Sequence, residues 1–204
     1  MENKRRTQAE RSATTSAALK GAARRLWAER GFSEVGTPEI AAAAGVTRGA
    51  MYHQFADKTA LFVAVLDDVE SEVVQRLAGA VATSGISTPA AALRVAVDEW
   101  LSICLEPEVH RLVLLDAPSV LGWSRFRDLA LRYSLGMTEQ LLQAAIDAGQ
   151  LRPQPVRALA HVLIGALDEG ALVIATAPDR EQARAEVHEV LHHLVDALVG
   201  PESG

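Results

Sequence analysis

The chain has 204 residues, 49% of them hydrophobic, enough for one ordinary domain or for a small domain joined to a larger one. The net charge of −6 is unevenly spread: residues 1–58 carry ten Lys/Arg against six Asp/Glu, leaving ten basic and twenty acidic residues for the rest. A basic head on an acidic body points to a polyanionic partner at one end, and the single cysteine, Cys104, excludes an internal disulfide framework and fits a reducing compartment.

The N-terminus lacks the apolar core of a signal peptide, and no uninterrupted apolar run reaches the ~18 residues of a membrane span, so a cytoplasmic protein without membrane contact is expected. Residues 1–11 are charged and aperiodic; they read as a basic arm able to reach a minor groove or phosphates, or as a solvated tail. A first helix is expected over residues 12–30, burying Leu19, Ala23, Leu26 and Trp27 and stopping at Gly31 and Phe32.

The next stretch, TPEIAAAAGVTRGAMYHQFADK over residues 37–58, reads as two short helices and a tight turn. Thr37 is expected to cap the first helix, with Pro38 at the first helical position and Ile40, Ala41 and Ala44 on the inner side. Gly45 ends that helix, because a residue without Cβ reaches the left-handed conformation at little cost. Val46 fills the angle, Thr47 caps the second helix, and Trp27, Phe32, Ile40, Val46, Tyr52 and Phe55 are expected to form the small core. This is a helix-turn-helix pattern, small and polar where its second helix begins.

A further long helix runs from about Asp57 through Leu61, Phe62, Val65, Leu66, Val69 and Val73 to about residue 81, joining head to body. After the small, polar linker ATSGIST come expected helices over 89–105, 107–117, 123–148, 156–176 and 180–199, separated by Pro and Gly breaks. No strand alternation is present. The fold class is all-α, with about nine helices and domains at 12–58 and 82–204.

Thr37, Ile40-Ala41, Ala44 to Thr47, Gly49 to Tyr52, Phe55, Asp57-Lys58 and Leu61 stand in the register in which the chain resembles the TetR family of transcriptional regulators, over roughly residues 12–68. The resemblance implies a DNA-reading head, a helical ligand-binding and dimerisation body, and a repressor that a small molecule releases. By chemistry, Arg48 is the candidate for bidentate contact with guanine; Gly49 and Ala50 allow close approach, and Ala50 suits a thymine methyl. Thr37, Thr47, Tyr52, His53 and Lys58 are candidate phosphate contacts, Tyr52, His53 and Lys58 most directly by the resemblance. The alternatives are helix caps for Thr37 and Thr47, a core cap for Tyr52 and a solvated charge for Arg48.

In the body, polar and aromatic residues on apolar faces are candidate ligand contacts: Trp100, Cys104, His110, Asp116, Trp123, Arg127 and Tyr133. An apolar or aromatic effector is expected, with Asp116 either its anchor or paired to Arg127 or Arg111, and Asp168 paired across an interface. Leu163, Leu167, Ala171, Leu191, Leu194 and Leu198 face one way on the last two helices and are candidate dimerisation residues, helped by small Gly165, Ala166 and Gly170. Two-fold symmetry suits an inverted-repeat operator in double-stranded DNA.

No cofactor or metal is expected: Cys104, His110, His161, His188, His192 and His193 show no tight Cys/His ligand spacing, with His188 and His192 exposed on one face. No nucleophile elbow, phosphate loop or HExxH motif suggests an enzyme. The alternative to a regulator is a helical small-molecule-binding or interaction protein without specific DNA binding.

Overall fold

The computed structural model describes residues 7–199, all-α apart from an isolated antiparallel bridge between Leu151 and Val199. Helix α1 is Gln8–Arg30, α2 Thr37–Ala43, α3 Arg48–Gln54, α4 Lys58–Thr83 and α5 Pro89–Ile103. Helix α6 is α-helical at Pro107–Val109 and Ala117–Leu121 and π-helical at His110–Asp116 between them; α7 is Trp123–Asp147, α8 Val156–Thr176 and α9 Arg180–Leu198.

Several boundaries depart from the sequence expectation for identifiable reasons. Helix α1 starts at Gln8 because Thr7 and Glu10 form a reciprocal capping box, so residues 7–11 are cap and helix; the rest of the expected arm lies outside the described residues. Helix α2 is capped by Gly36 without a side-chain bond, and Thr37 is already helical. Gly45, at φ 67°, allows the Val46 amide to reach the Ala41 carbonyl at 2.9 Å, which closes α2 as expected. Thr47 caps α3 by accepting from the Ala50 amide at 3.1 Å.

Two cores form. The first runs from Leu19, Ala23, Trp27, Ile40 and Met51 in the head along α4 (Leu61, Phe62, Val65, Leu66) into α6 and the near part of the body. The second joins α5, α7, α8 and α9 at the far end around Leu101, Leu142, Ala160, Leu191 and Val195. Trp27, Phe32 and Phe62 pack with ring centroids 4.9–5.5 Å apart, the geometry in which aromatic edges meet faces. Tyr52 does not join them. It is 42% exposed, and the adjacent Met51, fully buried, fills the core position expected of it.

On the last two helices the expected dimerisation residues fall in different places. Leu163, Leu167, Leu191 and Leu194 line the inside of the bundle, Ala171 is buried, Leu198 packs on the far core, and Leu194 also reaches the outer surface. The outer apolar positions are Val162 and Val173 on α8 and Val190 and Leu194 on α9. Helix α8 is therefore apolar on two sides. By length and mean composition it is long and apolar enough to cross a membrane, but charged residues interrupt it, among them Asp168 in an ion pair with Arg127.

Gly170 serves packing within the chain: a Cβ there would lie 2.8 Å from Val187 Cγ1 of α9. Gly170→Ala is accordingly expected to lower stability by ~1–3 kcal/mol through overpacking. Gly136→Ala, with no atom within 4 Å of its added Cβ, should raise stability by ~0.4–1 kcal/mol. Urea denaturation of both variants measures the opposite signs.

Candidate functional site

On the outer face of the head, Thr37 and Tyr52 bring their hydroxyls to 3.2 Å, and the Arg48 guanidinium lies 5.5 Å from the Tyr52 ring centroid. The Thr37 bond and Arg48 both favour the phenolate, lowering the Tyr52 pKa from its ordinary value. One hydroxyl of the pair donates to the other, leaving a second proton free for an external acceptor. Gly49 and His53 are exposed on α3 and Ala50 half-buried. Among the described residues Arg48 has no ion-pair partner, whereas Lys20, Arg24 and Arg30 are paired with Asp68, Glu72 and Glu108, and Glu39.

Lys58 is placed differently from expectation. Its ammonium donates to the Phe32 carbonyl at 2.5 Å and sits 4.1 Å from the Phe32 ring centroid, and burial lowers its pKa. It braces the loop after α1. A contact that sequence reasoning missed does similar work: Ser12 and Gln54 exchange hydrogen bonds at 3.0–3.1 Å and tie α3 to α1.

The body encloses a cavity of about 100 Å³ walled by α4, α5, α6, α7, α8 and α9. Its walls are apolar, among them Val73, Leu77, Val97, Leu114, Phe126 and Leu167, with Trp100 beside them. Trp100 is the only one of the seven expected ligand residues on the wall. Cys104 is fully buried and its thiol pKa pushed up by burial; the ring nitrogen Nε2 of His110 lies 3.0 Å from the Ala175 carbonyl. Trp123 is 57% exposed, and Tyr133 donates to Asp67 at 2.9 Å. Arg127 stands behind the wall, donating to Asp168 at 2.9 Å and to the His161 carbonyl at 3.0 Å, so the Asp168 pair is internal.

Asp116 belongs to the head–body junction. It accepts from the Phe32 amide at 2.8 Å, while Arg111 donates to the Arg30 carbonyl at 2.9 Å and lies against Gly31, where a Cβ would come within 2.6 Å of it. Both residues sit on the π-helical part of α6, whose Val113 and Leu114 line the cavity. His188 and His192 are not isolated on their helix either: both face Asp98 of α5, at 2.9 and 2.6 Å.

The residue the sequence did not single out is Glu70. It lies on α4, buried and lining the cavity, and no hydrogen bond to it offsets its burial. Burial, helped by the Asp168 and Asp67 charges, pushes its carboxyl up to about 7; burial also raises Asp168 to about 6 against the pull of Arg127. A polar residue amid the valines of α4 was the available signal.

Two family models match: "Bacterial regulatory proteins, tetR family" over residues 21–65 and "Tetracyclin repressor-like, C-terminal domain" over residues 90–198. A TetR-family transcriptional regulator from Pectobacterium atrosepticum is 30% identical, with a TM-score of 0.84 over 96% of this chain and 99% of that one. The Transposon Tn10 TetC protein of Escherichia coli is 26% identical over 165 residues, 81% of this chain and 82% of its own. The regulator FadR of Bacillus subtilis, solved in complex with stearoyl-CoA, shares the fold at 19% identity, with a TM-score of 0.67 over 86% of this chain and 96% of its own.

The Glu70 shift fixes a sign. Below pH 4.5 both folded and unfolded states hold the proton; between 4.5 and about 7 the unfolded chain ionises while the folded one retains it, so stability falls as pH rises through that window. At 1.36 kcal/mol per unit the loss is ~3 kcal/mol. Glu70→Gln should match the parent near pH 4 and exceed it by up to that amount at pH 8, measured by denaturation at both pH values.

Proposed function

The chain belongs to the TetR family of DNA-binding transcriptional regulators, and from that premise we propose that it represses by binding an inverted-repeat operator as a homodimer and leaves it when a small molecule fills the body cavity. The observation that carries this reading is shared structure. Helices α4 and α6 wall the cavity and also hold the head: α4 through Leu61, Phe62 and Val65, α6 through Asp116 and Arg111. A ligand that fits the cavity better in one arrangement of these helices shifts the heads with them. A fold neighbour solved with stearoyl-CoA supports a ligand-binding body.

On DNA, Arg48 reads guanine, Gly49 and Ala50 let α3 approach, and Thr37, Thr47, Tyr52 and His53 contact phosphates. Thr47 uses only an oxygen lone pair to cap α3, so its proton remains available. Lys58 acts by holding the head together. The second copy covers the outer apolar face of α8 and α9, where Val162 is 68% and Val190 58% exposed. Such a regulator works where the chromosome is, in the cytoplasm.

Selection from random duplexes with the purified protein is expected to return an inverted repeat with half-sites about one DNA turn apart. Arg48→Ala should weaken that site ~5- to 150-fold and random DNA much less, in line with ~1–3 kcal/mol for a bidentate base contact. Equal loss on both would refute the base-reading role, and no enriched sequence would favour an interaction protein. Val190→Glu should yield monomers by light scattering and lose the paired half-sites.

A further inference from the structure

We propose that the body cavity selects a lipophilic cation, a small amine whose ammonium meets Glu70 and Asp168 and whose apolar part lies beside Trp100. The inference rests on the regulator reading and adds the chemical class of its effector.

Every neutral side-chain donor on the cavity walls is already committed to backbone: Trp100 Nε1 donates to the Leu167 carbonyl at 3.3 Å, Ser134 to Ala130 and Thr138 to Ser134, each at 2.9 Å. The charged groups on the walls are Glu70 and Asp168, both acids. What remains facing the space is therefore acceptor capacity and negative charge. Groups around Glu70 are Asp67 on its own helix, which accepts from Arg132 and Tyr133 of α7, Cys104 beyond α5, and Asp168 on α8, which accepts from Arg127. The cations among them are both engaged: Arg127 by Asp168 and the His161 carbonyl, Arg132 by Asp67. One negative charge in an apolar chamber is thus left for a ligand to neutralise, with Trp100 on the wall to pack against the ligand's apolar part.

The test compares three probes of one shape on the full-length protein: 2-phenylethylammonium, neutral 2-phenylethanol and phenylacetate. By calorimetry at pH 8 the ammonium ion should bind at least ~10-fold tighter than the alcohol, as an ion pair in a desolvated site requires, and the carboxylate should not bind. Its affinity should rise as pH passes through about 7, where Glu70 ionises, and level off once ionisation is complete. Glu70→Gln should remove the preference for the amine and keep binding of the alcohol, which separates lost charge from lost fold. Tighter or equal binding of the alcohol or carboxylate overturns the proposal, as does failure of the amine to bind at millimolar concentration. Operator binding without ligand is measured separately, so the regulator reading stands or falls on its own result.

A second observation, independent of the cavity, points to a divalent-metal site at Asp98, His188 and His192. One ligand atom from each lies within 4.8 Å of the others, and the two imidazoles, one helical turn apart on α9, stack at 4.1 Å between centroids. Two imidazoles and a carboxylate suit zinc or another late first-row ion, with water completing the shell. The three residues join α5 to α9, so the ion would fasten two cavity walls together. Untagged protein should bind one zinc ion per chain by calorimetry and melt several degrees higher with it, and His192→Ala should abolish both effects. No binding at millimolar zinc, or binding that survives His192→Ala, overturns the assignment.

Discussion

Helix α4 belongs to two packing problems at once, and most of the molecule follows from that. At ~1.5 Å per residue its 26 residues form a rod of about 39 Å. Leu61, Phe62, Val65 and Leu66 complete the head, while Val73 and Leu77 wall the cavity. Because interiors are close-packed, a displacement at one end is not absorbed locally. The π-helical part of α6 makes the second link, with cavity residues and head contacts within four positions of each other. A wider turn of this kind places side chains that a regular helix would direct elsewhere.

The head was legible because its determinants are local. Gly45, Thr47 and the Ile40-Ala41 pair act within a few residues, and each does in the structure what its chemistry requires. For Tyr52, expected in the core, residue type stood in for direction. Tyr52 and Met51 are adjacent, about 100° apart around α3, and the helix turns the thioether inward and the phenol outward. Lys58 folds back onto Phe32, a contact set by the tertiary course of the chain after α1.

The body was legible as helices and opaque as a site. Its cavity assembles from six helices whose order in space no single periodicity encodes, and an apolar residue on a helix reads the same whether it meets core, ligand or a second copy. Helix α8 illustrates this: Leu163, Leu167 and Leu172 line the cavity while Val162 and Val173 point out, and apolarity alone does not tell the two sides apart. Asp116 was correctly marked as an acid needing a partner: Arg111 stands 4.0 Å away, one of the two partners expected, and the Phe32 amide at the head junction donates to it as well.

Glu70 is where stability and regulation meet. An ionised carboxyl in that position costs ~3 kcal/mol relative to the unfolded chain, by its rise from 4.5 to about 7. Replacing it by an apolar residue would make a tighter core, yet it sits on the one helix that spans both halves, between the head contacts of Leu66 and the cavity contacts of Val73. Relief of that cost by a bound cation is available only in an arrangement that brings the cation to Glu70. Allosteric couplings commonly amount to ~1–3 kcal/mol. The electrostatic cost held in α4 is of the same size, so the proposed pairing of Glu70 with a cation matches in scale what a shift between arrangements of the heads requires.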